Sequence, residues 1–467
     1  MTTAPGTAAQ PLRVAIIGAG PTGYYTADPL LKNPKVVVEV DLFDRLPTPY
    51  GLVRLGVAPD HQKIKFVTNA FDKIAASPRF RFFGGVEIGK DVTVADLQAH
   101  YHQIVFCTGA QTDRRMGIPG EDLSGSHPAT EFVAWYNGHP DYRDCSFDLS
   151  PERVAVVGVG NVAVDVVRIL CRTPEELATT DIADYALEAL RKSRVKVVYL
   201  LGRRGPAQAA FTNPEVKELG ELADADAIAI PEEVELDPLS RAEVERSQDR
   251  ATLRKVEILQ EYARRQPSGK SRQLFLRFLV SPQALIDDGA GHVAAMRLVK
   301  NELQASSTGA LQARATGRVE EIPVGLVFRS VGYRGVPVPG VPFDEKGGVI
   351  LNAKGRVLDP ATRQPLRGLY TAGWIKRGPS GVIGTNKPDA AETVELMFED
   401  LEPGVVLEPP QATAAAAEAL IRERQPRVVS YADWLKLNEI EVQRGRAQGR
   451  PRVKLTRVEE MLAALGR

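Results

Sequence analysis

Two glycine-rich stretches carry the residue types that hold a nucleotide pyrophosphate. The first reads Val14-Ala15-Ile16-Ile17-Gly18-Ala19-Gly20-Pro21-Thr22-Gly23, and the second Val154-Ala155-Val156-Val157-Gly158-Val159-Gly160-Asn161-Val162-Ala163. In each, an apolar run predicts a strand, and the glycines predict a tight turn into a helix. Gly18 permits the bend, Gly20 lets a phosphate approach the backbone, and Gly23 lets helix and strand close together. The N–H groups at the helix start then face the anion. Ala163 replaces the last glycine of the second turn, which the pattern tolerates. The strands that follow the turns end differently: the first in Asp44, the second in Gly202-Arg203-Arg204. An acid there suits an unphosphorylated ribose, whereas planar, always-charged guanidinium groups suit a 2′-phosphate. FAD at the first turn and NADPH at the second is the resulting expectation, in a chain that passes a hydride between them. Asp41 competes with Asp44 but sits inside the apolar strand pattern. Glu215 lies shortly after the arginines, where a helix start would favour an acid in any case.

The elements that must position these residues follow from the same pattern. Residues 12–44 read strand, turn, helix, strand. Residues 45–63 hold three prolines and two glycines, a structured loop whose length suggests function. A helix is expected at 64–77 and a buried strand at 103–110. A second unit begins near residue 115, with a strand at 153–158, helices from about 161 to 192 and a strand at 195–201. The distance from Gly158 to Arg203 exceeds the usual spacing of about 20 residues, and the polar segment 174–192 accounts for the excess as an insertion. Apolar runs at 274–280 and 324–331 extend this unit's sheet. Gly368 to Trp374 reads as another buried strand, and the Gly-rich stretch Gly378 to Asn386 leads into a helix. Pro409-Pro410 marks a linker, followed by helices to Arg467. The alternation argues for an α/β chain with two doubly wound, Rossmann-like parallel sheets.

Bulk properties narrow the function classes. Lys plus Arg equals Asp plus Glu at 59 each, which gives no global case for nucleic-acid or membrane binding. No apolar run reaches the roughly 18 residues of a membrane span. The polar N-terminal segment has neither a signal-peptide core nor transit-peptide arginines, so a cytoplasmic protein is expected. Cys107, Cys145 and Cys171 are far apart, so no redox pair, zinc site or iron–sulfur cluster is expected. His100 and His102 read as solvated residues beside a strand.

Further motifs carry a resemblance. Tyr50-Gly51-Leu52-Val53-Arg54, Val57-Ala58-Pro59-Asp60-His61, Gly160-Asn161-Val162-Ala163, Gly202-Arg203-Arg204-Gly205-Pro206 and Gly373-Trp374-Ile375-Lys376-Arg377-Gly378-Pro379 together resemble the adrenodoxin-reductase type of ferredoxin–NADP⁺ reductase, above all its actinobacterial members. The match runs from about residue 12 to 395. The resemblance implies an FAD domain split between residues 1–113 and 335–467, with an NADP domain, 114–334, inserted. It implies that Thr22, Asp44, Leu52 and Ile88 lie against FAD, with Trp374, Gly381, Val382 and Ile383 near the isoalloxazine ring. It places Val159, Gly160, Asn161, Val162, Arg203, Arg204 and Glu215 on NADP, and His61 and Glu218 close to the reacting rings. Two departures stand out: the family usually has Glu at Asp44 and often Trp at Tyr50.

The activity so implied is hydride transfer between NADPH and FAD, then single-electron transfer between FAD and a ferredoxin. No fused ferredoxin segment is read in the sequence, so the expected partner is a separate iron–sulfur protein, with a monomer as the default state. His61 could hold Glu218 and orient the nicotinamide amide, or the two could form a structural ion pair. Ferredoxins are usually acidic, so Lys270, Arg272, Arg277, Arg444, Arg446, Arg450 and Arg452 are candidates for a basic docking surface. The alternatives are an electron-input subunit like that of glutamate synthase, which the missing N-terminal cluster cysteines disfavour, a flavin monooxygenase, whose loop 45–63 would differ, and an NADPH-binding sensor without sustained turnover.

Overall fold

Every residue of the strand Leu12–Ile17 is buried, so this strand needs a sheet covered on both faces. The computed structural model describes residues 5–467 and supplies that sheet. Strands β1 (Leu12–Ile17), β2 (Val38–Asp44), β3 (Phe80–Gly84) and β4 (Gln103–Phe106) run parallel. Strand Pro365–Thr371 joins them parallel to β4, and two short antiparallel strands complete that edge. Val14 and Ile16 face one core, Ala15 and Ile17 the other. Helix Pro21–Lys32 follows the first turn.

The second sheet is built from residues 126–329. Its strands are, in order across the sheet, Ser126–Pro128, Leu326–Arg329, Arg153–Val157, Val197–Leu201, Arg272–Arg277 and Ala225–Ala229, all parallel. Helices pack on one face, through Val154, Val156, Val198 and Leu200. A separate three-stranded antiparallel sheet, Val280–Asp287, Val293–Ala305 and Leu311–Pro323, packs on the other face. The two doubly wound parallel sheets meet the sequence expectation. The antiparallel sheet had escaped it, because charged outward-facing residues and a bulge interrupt the alternation of its strands. The chain crosses between the two sheets twice, and the crossings pair as a short antiparallel ribbon, Thr112 with Arg334 and Asp113 with Tyr333.

The structured loop after β2 contains helical turns, Leu52–Leu55 and Gln62–Lys65. Two sequence expectations need correction. His100 and His102 are buried, not solvated. The Arg13 backbone N–H donates to His102 Nδ1 at 3.0 Å, and His100 Nδ1 contacts the Asp96 carbonyl at 2.8 Å. Each ring thus has a backbone partner at Nδ1, while His100 Nε2 is buried with no partner among the described residues.

Several arginines expected on a docking surface hold the fold together instead. Arg277 is buried and pairs with Glu233 at 2.9 Å and Glu320 at 2.6 Å. Arg272 pairs with Asp224, and Lys270 donates to the Leu222 carbonyl. Arg450 is buried and donates to the carbonyls of Thr180 and Ile182. Arg452 reaches Glu441, which also takes a bidentate pair from Arg54. Beside them, Lys454 donates to the carbonyls of Arg54 and Asn137 and lies 3.3 Å from Asp181, which accepts from Lys65 at 2.7 Å. Residues 441–454 therefore strap the first sheet's loop to the helical face of the second unit. Arg444 and Arg446 alone of these candidates remain exposed.

Candidate functional site

Both glycine turns repeat one backbone arrangement. Gly18 has φ +106° and Gly158 φ +128°, a region that favours glycine. A Cβ on Gly18 would meet the Cys107 carbonyl oxygen at 2.5 Å, and one on Gly158 the Ser330 oxygen at 2.1 Å. Each first glycine is thus required by the neighbouring strand's end. Each middle glycine, Gly20 and Gly160, faces open space with nothing within 4 Å. That opening lies at a helix start, where backbone N–H groups and the positive end of the dipole can meet a phosphate. Gly23 packs on the Gly18 carbonyl, where a Cβ would come to 2.2 Å. Ala163 fills the equivalent place in the second turn and is fully buried.

The first turn opens on a cavity of about 540 Å³. It reaches from Asp44 at the end of β2, past Gly18, Gly20, Pro21 and Thr22, to Trp374 after strand Pro365–Thr371. Those strands lie three steps apart in the sheet, so the cavity spans about 14 Å across strand ends. Leu52, Ile88 and Ile383 also line it. Gly381 and Val382 are exposed on the loop beside Ile383. Trp374 Nε1 donates to the Ser380 carbonyl at 3.1 Å, and its ring lies 5.6 Å from that of Tyr333. Open space at Gly20 and an elongated cavity with an acid at one end and an indole at the other fit a dinucleotide.

Asp44 does two jobs in its own turn. Its carboxylate accepts the backbone N–H groups of Ala19 and Leu46, both at 2.9 Å. Burial raises its pKa against those donors. Asp41, the competing acid, is buried among Arg13, Arg81 and Tyr101 and takes no part. Tyr50, at a place where Trp is common in the resembling family, has φ +80°. Its hydroxyl donates to Asp72 and meets Tyr431 and Trp434. The ring is buried under the turn, in the core beside Tyr24.

The second turn is latched to the segment that follows the arginines. Ala210 and Phe211 donate backbone N–H groups to the Val159 carbonyl, and Asn161 Oδ1 accepts the Thr212 N–H at 2.9 Å. Val162 is half-buried in the helix that follows. Arg203 is exposed and Arg204 half-buried. Among the described residues, no carboxylate forms an ion pair with either; Arg204 makes only a 3.4 Å contact to the Gln208 carbonyl. Burial and the neighbouring Arg203 both lower the pKa of Arg204. Two adjacent cations outside any ion pair, with Glu243 acting on Arg204 only from a distance, make an anion site.

Between the two turns lies a polar cluster. His61 Nε2 is 2.8 Å from Glu218 Oε2. Arg168, fully buried, donates to Asp60 at 2.6 Å, Asp165 at 2.6 Å, Glu215 at 3.2 Å and His61 Nδ1 at 3.3 Å. Since Arg168 faces Nδ1, the Nε2 proton of His61 points to Glu218. Glu215 sits in the first turn of helix Asn213–Leu219, and its carboxylate turns to Arg168. Burial raises the pKa of Glu215 and of Asp165; burial opposes ionisation of Asp60 too, but Arg168 and Arg172 hold its pKa well below the usual range. Sequence reasoning missed Arg168 and Asp165. Their signal was two charges three residues apart in the valine-rich helix Asn161–Cys171.

Comparison with known proteins agrees with this geometry. The profile of the pyridine nucleotide-disulphide oxidoreductase family matches residues 12–203. The NADPH-ferredoxin reductase FprA of Mycobacterium leprae is 44% identical, over 96% of this chain and 97% of its own. The mitochondrial NADPH:adrenodoxin oxidoreductase of Homo sapiens is 43% identical, over 97% of this chain and 92% of its own. A solved structure of Mycobacterium tuberculosis FprA in complex with NADPH superposes with a TM-score of 0.91 at 42% identity, covering 98% of this chain and 100% of that one. At such identity over nearly the whole of each chain, this protein belongs to the adrenodoxin-reductase type of NADPH–ferredoxin reductases.

Proposed function

We propose that this protein is an FAD-dependent NADPH:ferredoxin oxidoreductase. One observation carries the nucleotide choice: among the described residues Arg203 and Arg204 stand side by side outside any ion pair, beside a glycine turn whose middle residue faces open space. FAD, when bound, supplies the coupling of two-electron to single-electron chemistry. The chain's own residues do the rest. Gly18, Gly20, Pro21, Thr22 and Gly23 cradle the FAD pyrophosphate, and Asp44 receives the adenosine ribose. Leu52 and Ile88 line the cavity against FAD, and Trp374 and the loop Gly381 to Ile383 bound its flavin end. Val159, Gly160, Asn161 and Val162 hold the NADPH pyrophosphate, Arg203 and Arg204 its 2′-phosphate, and Glu215 adjoins the nicotinamide half.

His61 and Glu218 occupy the junction between the two units. His61 presents its Nε2 proton to Glu218, which leaves the second carboxylate oxygen of Glu218 free to accept the nicotinamide amide. Arg168 fixes the ring from behind. Holding two reactants in a near-attack geometry is the main contribution a protein makes to such a transfer. The units themselves divide at the ribbon, as residues 1–113 with 335–467 and residues 114–334. The electron acceptor is a separate ferredoxin-type iron–sulfur protein, and the enzyme acts as a cytoplasmic monomer. No described helix is long and apolar enough to cross a membrane.

Anaerobic stopped-flow mixing of the purified yellow protein with NADPH or NADH, then with a ferredoxin, tests this reading. Flavin bleaching with strong NADPH preference and onward reduction of ferredoxin is the expected result. Equal use of NADH would remove the phosphate clamp. Bleaching without transfer to any ferredoxin would favour an input subunit or a sensor.

A further inference from the structure

The antiparallel sheet 280–323 meets the arginine loop at its first residue, Val280, and at a second buried residue, Asn301. Asn301 lies in the strand Val293–Ala305 and is 8% exposed. Its side-chain amide donates to the Arg203 carbonyl at 2.9 Å and to Ser281 Oγ at 2.7 Å. Its backbone N–H donates to the Leu279 carbonyl at 2.7 Å. Both amide protons are therefore used, and neither contact is to solvent.

The flanking backbone completes a cradle. Leu279 N–H donates to the Arg204 carbonyl at 3.1 Å, and Val280 N–H to the Gly202 carbonyl at 3.1 Å. The carbonyls of Gly202, Arg203 and Arg204 are all held from one side. Two irregularities make this possible. Leu279 has φ +54°, a conformation that strains a non-glycine residue and persists only where surroundings enforce it. A bulge also falls at Asn301: Val299 faces Val319, but Asn301 faces Ala315, so the partner strand carries two extra residues, with Gly317 at φ +81°. Bulges of this kind re-aim side chains. Pinned carbonyls fix where the Cα–Cβ bonds of Arg203 and Arg204 point, and the two guanidinium groups otherwise repel each other, with no ion pair among the described residues to order them.

We infer that Asn301 is a positioning residue for 2′-phosphate recognition, and that the sheet 280–323 serves as a rigid brace that sets the enzyme's preference for NADPH over NADH. The inference rests on the reading of Arg203 and Arg204 as the 2′-phosphate clamp. Asn301 touches the arginine backbone and not the nucleotide, so its loss should act only on ligands that bear the phosphate.

The test uses the flavin-loaded enzyme and two probes, 2′,5′-ADP and 5′-AMP, titrated by calorimetry, alongside KM and kcat for NADPH and NADH. Asn301→Ala should weaken 2′,5′-ADP binding about three- to tenfold, the loss of one to two buried hydrogen bonds. It should raise KM for NADPH by the same factor while 5′-AMP binding, KM for NADH and kcat stay unchanged. Ser281→Ala, which removes only the second anchor, should give a smaller shift in the same direction and covers the case in which Asn301→Ala does not fold. Equal losses for both probes, or no change in either, would overturn the brace while leaving the clamp intact. If the unaltered enzyme bound 2′,5′-ADP no better than 5′-AMP, the clamp itself would fail and the brace with it.

Discussion

His61 and Glu218 stand 2.8 Å apart across the junction of the two units, one on the loop after β2 and the other on helix Asn213–Leu219. The contact ties the first unit to the second, so its removal should loosen the geometry of transfer. We expect His61→Ala to slow flavin reduction by NADPH about tenfold or more, since small misplacements are costly at a near-attack distance, with flavin content unchanged. Glu218→Gln, which keeps an acceptor oxygen, should slow it less. An unaltered rate in His61→Ala by single-turnover mixing would reduce the pair to a structural contact.

The two middle glycines separate folding from binding. Nothing lies within 4 Å of a Cβ at Gly20 or Gly160, so valine should fit the empty protein at either place. Gly20→Val should yield folded protein with flavin occupancy reduced about tenfold or more, by blocking close approach of the pyrophosphate. Gly160→Val should keep its flavin but lose NADPH. Circular dichroism with the absorbance ratio of flavin to protein checks both. Full flavin in Gly20→Val would remove the first turn from the cofactor site.

Arg203→Ala and Arg204→Ala should each raise KM for NADPH about ten- to a hundredfold, equivalent to the roughly 1.5–3 kcal/mol of a hydrogen bond to a charged group. KM for NADH should hold steady. Because Arg203 is exposed and Arg204 half-buried without an ion-pair partner, neither change should lower the melting temperature appreciably. A matched rise for both nucleotides would point to loss of the loop and not of the clamp.

Asp181 neutralises two buried lysines, Lys65 at 2.7 Å and Lys454 at 3.3 Å. Burial alone would raise its pKa, but Lys454 and Lys65 hold it well below the usual range. Asp181→Asn leaves both cations facing each other in a dry site. Breaking a buried pair in this way costs about 3–5 kcal/mol, which denaturant unfolding would register. A loss under about 1 kcal/mol would mean that water reaches the site.

Two imidazoles, one buried and one half-buried, set an acid limit. Burial and Arg13 push His102 down to about 4, and burial pushes His139 down to about 4 as well. An unfolded chain protonates histidine near 6.5, so between those values the unfolded state binds more protons. The stability these rings confer is complete above pH 6.5 and is lost as pH falls through about 4. His102→Asn, which keeps an acceptor for the Arg13 N–H, should flatten the decline of melting temperature across that window. An identical decline in the variant would assign it to carboxylates instead.

The parts legible in the sequence were those fixed by short-range backbone rules. Gly18 and Gly158 announce their turns because no other residue tolerates those torsions against a neighbouring carbonyl. The strands around them read as apolar runs because both faces are covered. Charged residues were the least legible, since a sequence does not show what lies 270 positions away. Arg450 looked like a surface cation and proved to be a buried tie to Thr180 and Ile182. His102 looked solvated and is capped by Arg13. Asn301 gave no signal, because its role depends on a bulge made by residues of the next strand.

The split of the first sheet bears on how the chain comes into being. β4 pairs on one side with β1, which is already made, and on the other with strand Pro365–Thr371, where Ile104 meets Leu369. During synthesis β4 must therefore wait for more than half the protein to emerge, with one row of backbone groups unpaired. The second unit, by contrast, is contiguous and can fold as soon as it leaves the ribosome, as domains commonly do. The nascent protein should complete its second unit first. The first unit is then completed only after the strap at residues 441–454 is free to dock, so a ribosome stalled before residue 365 would carry one finished unit and one open sheet edge.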